Sequence, residues 1–300
     1  MRRLGLMAGA LLLLAPFVTS CGGGGDFSPG SPHESLLSIA AEFEMFAASD
    51  PYRDPTPEDL LDQHLADATL VRLANYADLH PGRFAPEVLV LTARASERLG
   101  DYETARRSYL EAASYDTEMA EMARQRAQAN ARRVAILSSG LGNTLEDQVA
   151  AYGEIAQSFY ELANLEENEL DQSLALMEAE NAEIARANLL ANNYQFFPDG
   201  ERQAREALSA LQNDHRESRR VLEHALAEAR FLRRLIENEL RLRPAEGLNF
   251  DSNRVLALFE DCLDILYRVS QADGRPEKRI AALELDTMLA LRDEVIDRAR

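Results

Sequence analysis

From Leu145 onward, apolar or small residues recur in alternating steps of four and three: Leu145, Val149, Tyr152, Ala156, Phe159, Ala163, then Leu170, Met177, Ile184 and Ala187. A second run follows the same rule through Ala204, Leu208, Leu211, His215, Ser218, Leu222, Ala225, Ala229, Leu232 and Ile236. That period lays one stripe along a helix, whereas a strand alternates every second residue. Glu166, Ser173 and Glu180 interrupt the first run, and Asn192 to Gly200 (NNYQFFPDG) separates the two with the helix breakers Pro198 and Gly200. The pattern predicts an antiparallel coiled-coil hairpin over 141–246. Its first arm, about 50 residues at about 1.5 Å each, reaches about 75 Å if straight, and the polar interruptions admit a shorter, kinked arrangement. The tip pair Phe196-Phe197 is either a staple closing the turn or an exposed anchor for a partner, the staple being preferred.

The rest of the chain also reads as all-α. There is no sustained two-residue alternation and no Asn-Gly hairpin turn. Helix starts are marked by Ser31-Pro32-His33-Glu34 and Thr56-Pro57-Glu58-Asp59, which place proline at the first helical position and side-chain acceptors beside the unpaired backbone N–H groups. Gly247 ends the second arm, and Asp251 or Ser252 caps a helix carrying Val255, Leu258, Phe259, Cys262, Leu263, Leu266 and Tyr267. A turn at Asp273-Gly274 leads into a last helix, so 247–300 is expected to form a C-terminal helical hairpin packed on the arms or on the repeat region of 33–140.

Within residues 33–140, the stretch Gly100 to Thr117 (GDYETARRSYLEAASYDT) places Tyr102, Ala105, Tyr109 and Ala112 on one helix face, after a glycine that permits a tight turn. It resembles the turn and second helix of a tetratricopeptide repeat, and His80 to Leu99 resembles that repeat's lead-in and first helix, with Pro86 opening it. Leu89, Thr92-Ala93 and Thr117 depart from the repeat's usual aromatic, Leu-Gly and proline, so the likeness covers about one repeat. Helices at about 57–79 and 118–138 are expected to stack on it, since one repeat cannot bury its own apolar face. The resemblance implies a concave surface lined by the first helix, which puts Glu87, Val90, Arg94, Glu97 and Arg98 on an exposed inner side. Arg94 and Arg98 are four apart and suit bidentate capture of a partner's carboxylate. The alternative is that both pair with Glu87, Glu97 or Asp101 on a solvated surface.

The N-terminus carries a different message. Arg2 and Arg3 precede an apolar core from Leu4 to Val18, of secretory-signal length and short for a membrane span. Val18-Thr19-Ser20-Cys21 resembles the lipobox of bacterial lipoproteins, which implies a signal peptide over 1–20 and a lipidated Cys21 as the mature N-terminus. An ordinary cleaved signal that leaves a free Cys21 is the alternative. Residues 21–32 then form a Gly/Ser/Pro tether, too poor in apolar residues to fold and reaching about 18 Å r.m.s.. Gly22 stands where that family carries aspartate for inner-membrane retention, so the resemblance implies the periplasmic face of an outer membrane. The Pro-Gly-x-x-Ala-Pro-Glu run at 81–87 also resembles periplasmic lipoproteins of outer-membrane assembly.

Charge and residue stock narrow the function classes. Residues 1–20 hold Arg2 and Arg3 and no acidic residue, so removing them takes the formal charge from −19 to −21. Such a chain is repelled by nucleic acid and anionic lipid. None of His33, His64, His80, His215 or His224 has a glutamate three residues earlier, and there is no phosphate-cradling glycine loop or Gly-x-Ser-x-Gly. His215 is read as setting register on the coiled-coil seam, His224 with Glu228 as an exposed polar pair, and Cys262 as a packed apolar side chain. No cofactor, metal or catalytic role is expected. The expectation is a membrane-tethered periplasmic scaffold or adaptor that holds envelope proteins, bound to the membrane through its N-terminal lipid. The alternatives are a spacer or chaperone-like coiled coil, and an envelope enzyme or ligand-binding protein with a dispersed site.

Overall fold

The computed structural model describes residues 31–47, 50–53 and 59–299. The signal segment, Cys21, the tether through Gly30 and the cap at Thr56-Pro57-Glu58 lie outside the described residues. Among those described there are eleven α-helices and no strand. None of the helices is long and apolar enough to cross a membrane. The chain divides into two compact units, the first ending at Ser138 and the second comprising Ser139–Arg300 together with Tyr52–Pro55.

The first unit holds α1 (Pro32–Ala47), α2 (Asp59–Leu79), α3 (Ala85–Arg98), α4 (Tyr102–Ala112) and α5 (Ala120–Leu137). Gly100 takes φ +74°, which a side chain would oppose, and Asp101 then caps α4 by accepting the Thr104 N–H at 3.0 Å. Tyr102, Ala105, Tyr109 and Ala112 are all buried, on the face their spacing indicates. Ala105, Tyr109 and Ala112 share a core with Ala93 of α3 and with Ala123 and Ala127 of α5, where small side chains allow close helix approach. Leu36, Ile39 and Phe43 of α1 form a neighbouring core with Leu73 of α2 and with Val88 and Leu91 of α3.

The second unit departs from the two-armed hairpin. Each expected arm is two helices: α6 (Leu145–Leu165) and α7 (Glu169–Asn193), then α8 (Gly200–Asp214) and α9 (Val221–Leu242). The first arm breaks because Glu166 turns extended, with ψ 128°, and the Asn168 side chain accepts the Leu170 N–H at 2.9 Å, which starts a new helix. α7 folds back on α6, with Gln172 bonded to the Ala163 carbonyl at 3.4 Å and Tyr160 to Glu183 at 3.2 Å. With 21 residues, α6 is about 32 Å long, less than half of a straight arm.

At the expected tip, α7 passes through a short 3₁₀ turn at Tyr194–Phe196 into Gly200, where a Cβ would lie 1.8 Å from the Tyr194 carbonyl oxygen. Only glycine fits that approach. Phe197 is buried in the core, whereas Phe196 is 64% exposed, so the two rings divide between closing the turn and facing solvent.

The last two helices are α10 (Ser252–Ser270), capped by Asp251 at 3.0 Å from the Arg254 N–H, and α11 (Glu277–Arg298). They do not form a core of their own. Phe259, Cys262, Leu266 and Met288 are buried in one continuous cluster with Leu190, Leu208, Leu232 and Ile236, so 247–300 belongs to the same unit as the helices before it.

Candidate functional site

The residues marked in sequence as a partner surface are not an open face. α1 lies against them. Arg94 pairs with Glu44 and stacks 5.5 Å over the Phe43 ring, and Arg98 donates to the Ala47 carbonyl at 2.6 Å. Val90 is buried against α4 and α5, and Glu97 is 2% exposed, accepting from the Tyr109 hydroxyl at 3.2 Å and the Asn130 amide at 2.6 Å. Glu87 is half-buried. The reason is charge as well as shape: α1 brings a carboxylate to the guanidinium that a free groove would have offered to a partner.

The strongest concentration of titratable side chains lies in the second unit, where both arms break. His215 follows the end of α8 and is fully buried. Its Nε2 lies 2.7 Å from Glu183 Oε2 on α7, and its Nδ1 lies 2.9 Å from the Tyr52 hydroxyl. A carboxylate only accepts, so Nε2 carries the proton; in the neutral ring Nδ1 accepts from the Tyr52 O–H. Tyr160 of α6 donates to the same Glu183 oxygen and stacks on the imidazole, with ring centroids 6.2 Å apart.

Beside it is a second buried group. Glu180, one turn from Glu183 on α7, accepts from Ser218 Oγ at 2.5 Å and from His224 Nε2 at 2.6 Å, and the two imidazole centroids are 6.1 Å apart. Ser218 Oγ in turn accepts the Arg220 N–H at 3.0 Å, which shapes the turn between α8 and α9. Burial acts to raise the Glu180 pKa, but the hydrogen bonds from His224 and Ser218 outweigh it and hold the carboxyl below its ordinary value. For Tyr52, burial and then the Glu180 charge push the phenol well above its ordinary range, and for Tyr160 burial and the Glu183 charge do the same.

His224 is therefore not half of an exposed pair with Glu228. It is 3% exposed and bonded to Glu180, while Glu228 bonds Gln212. Nor does His215 sit on a coiled-coil seam. Its seam position does carry a signal, because Glu180, His215 and Ser218 are three of the five polar residues on the two stripes, and the structure brings these three together, while Glu166 and Ser173 take no part. Tyr52, Tyr160 and Glu183 left no trace in the periodicity. His224 also lines a cleft of about 440 Å³, together with Ile184, Leu208 and Leu211 and the charged Arg220, Glu223 and Arg230. Among the described residues, no group of three His, Cys, Asp or Glu side chains is arranged to hold a metal ion.

Burial also disposes of Cys262 as a nucleophile. Desolvation pushes its thiol up to about 12, and it donates to the Ala229 carbonyl inside the core. No protein-family model, curated protein or solved structure matches the chain.

Proposed function

We propose that the chain is a membrane-tethered scaffold or adaptor lipoprotein that holds protein partners in the bacterial cell envelope, anchored through Cys21 at the periplasmic face of the outer membrane. The tether rests on the ordered set of Arg2-Arg3, an apolar core, Val18-Thr19-Ser20-Cys21 and the glycines that follow. The observation that most favours a binding body over a catalytic one is His215. It has no exposed surface and both ring nitrogens are hydrogen-bonded within the fold, so neither is presented to a substrate. The same holds for Glu180, which is held between Ser218 and His224.

Metabolic labelling with an alkyne fatty acid, followed by affinity capture from detergent-solubilised envelopes, tests this reading. Cys21→Ser is expected to lose the label and to lose recovery of envelope partners. Equal label on variant and wild type would overturn the anchor. The cleft beside His224 favours a second reading, a ligand-binding envelope protein. Saturable binding of a small molecule, lost on replacing Leu211 with a bulkier side chain, would support it over the scaffold.

A further inference from the structure

The contacts by which Tyr52 and Arg53 grip one turn of the second unit include three hydrogen bonds. The Tyr52 hydroxyl meets His215 Nδ1 at 2.9 Å, the Tyr52 carbonyl accepts the Arg219 N–H at 2.9 Å, and Arg53 Nε donates to Glu217 Oε2 at 3.1 Å. The ring is 5% exposed and meets the His215 imidazole edge-on, with centroids 5.9 Å apart. His215 lies 163 positions later in the chain, so nothing in the local sequence requires the contact.

Together these contacts have the anatomy of a recognition site. An aromatic anchor is buried with its polar tip bonded, a main-chain hydrogen bond fixes direction, and an ion pair closes the rim. Charge fixes the second residue locally: the turn carries Arg216, Arg219 and Arg220, and Glu217 is the carboxylate within it that meets the Arg53 guanidinium. Burial and the neighbouring carboxylates keep the Tyr52 phenol neutral beside His215.

We infer that the turn from His215 to Arg220, floored by Tyr160 and Glu183, is a receptor for a tyrosine–arginine pair, and that the chain fills it in cis with its own Tyr52-Arg53 as a releasable latch. Release breaks these contacts and opens His215 to water. The same slot then accepts the tyrosine–arginine pair of a second copy of the chain, presented in trans. The inference concerns the second unit alone and stands whether or not Cys21 is lipidated.

Two measurements on the full mature chain test it. In limited trypsin digestion followed by mass spectrometry, the bond after Arg53 is expected to be cut about fivefold faster in Tyr52→Phe, which keeps the ring and loses one hydrogen bond. Cleavage elsewhere should keep its rate, and equal rates at Arg53 would overturn the latch. In the second measurement, a dye-labelled Asp-Pro-Tyr-Arg-Asp-Pro peptide, copied from residues 50–55, is titrated by fluorescence anisotropy. It should bind Tyr52→Ala more tightly than wild type, and about fivefold more tightly than its phenylalanine counterpart does. Tyr52→Phe gives the same reading if the alanine variant does not fold, since its weakened latch should admit the peptide better than wild type. Binding no better than to wild type in a variant with native helical circular dichroism would overturn the receptor.

Discussion

Each unit buries a polar network, and the two are built from different chemistry. In the first, Glu97 joins Tyr109 and Asn130, and Asn130 accepts from the fully buried Arg133, whose guanidinium lies 5.5 Å over the Tyr102 ring. In the second, two carboxylates meet two imidazoles, two phenols and a serine hydroxyl. An arginine stays charged at any ordinary pH, so the first network has a fixed cation. The second contains no arginine at its centre, and its bonds depend on where the protons sit. One network is a permanent fastening between helices, while the other links the fold to pH and to the docking of Tyr52.

The comparison breaks first at Glu180. Glu180→Ala removes the shared acceptor of Ser218 and His224 and is expected to cost about 3–5 kcal/mol by urea denaturation. A loss under about 1 kcal/mol would mean that the second network does not hold its unit together. Glu97→Gln in the first unit retains one acceptor oxygen for two donors, so the expected loss there is smaller, about 1–2 kcal/mol.

The two ends of the pH range sharpen the difference. The folded pKa of Glu180 lies below its ordinary 4.5, so its contribution is present above that pH and is lost as pH falls through the lower folded value. Melting temperature should drop on acidification, and Glu180→Gln should flatten that limb. Tyr52 and Tyr160 are shifted the other way. Their contribution is complete below about pH 10 and is lost as pH rises toward their higher folded values. Tyr52→Phe should therefore shallow the alkaline limb, read by circular dichroism above pH 10. An unchanged alkaline limb would show that the Tyr52 hydroxyl is not held in the buried site.

Arg94→Ala tests the fastening of α1 in the first unit. The ion pair with Glu44 is partly buried and the guanidinium also covers Phe43, so a loss of about 1 kcal/mol is expected. No loss at all, with α1 still protected in hydrogen exchange, would return Arg94 to the candidates for partner capture. The smallest effect is expected at Cys262, which should not react with a thiol reagent at pH 8 until the second unit opens, because its thiol is buried and shifted up to about 12. Its labelling rate then reports that unit alone. Prompt labelling of the folded chain would show that the core around α9 and α10 is open.

Much of the fold is local, and local information was legible. The buried face Tyr102, Ala105, Tyr109 and Ala112 follows from spacing along one helix, and the turn at Gly100 and the cap at Asp251 follow from residues beside each helix end. The same logic overreached between Leu145 and Asn193. An apolar period persists across a helix break, because a chain that folds back still buries the same stripe. The stop at Glu166 and restart at Asn168 depend on two backbone-directed contacts that leave the period intact.

The sequence by itself determined that the chain is helical, where most helices start, and that Glu180, His215 and Ser218 are polar residues on apolar stripes. Only the tertiary structure decided what those polar groups touch. Helix propensity and amphipathicity act over a few residues, whereas His215 meets Glu183 from 32 positions away and Tyr52 from 163. A buried polar side chain must find a partner, and it finds the one that the packing of α6 to α9 brings within reach. For the same reason Arg94 faces Glu44 across 50 residues instead of an open groove: the acidic helix that covers it is distant in sequence and adjacent only once the first unit has folded.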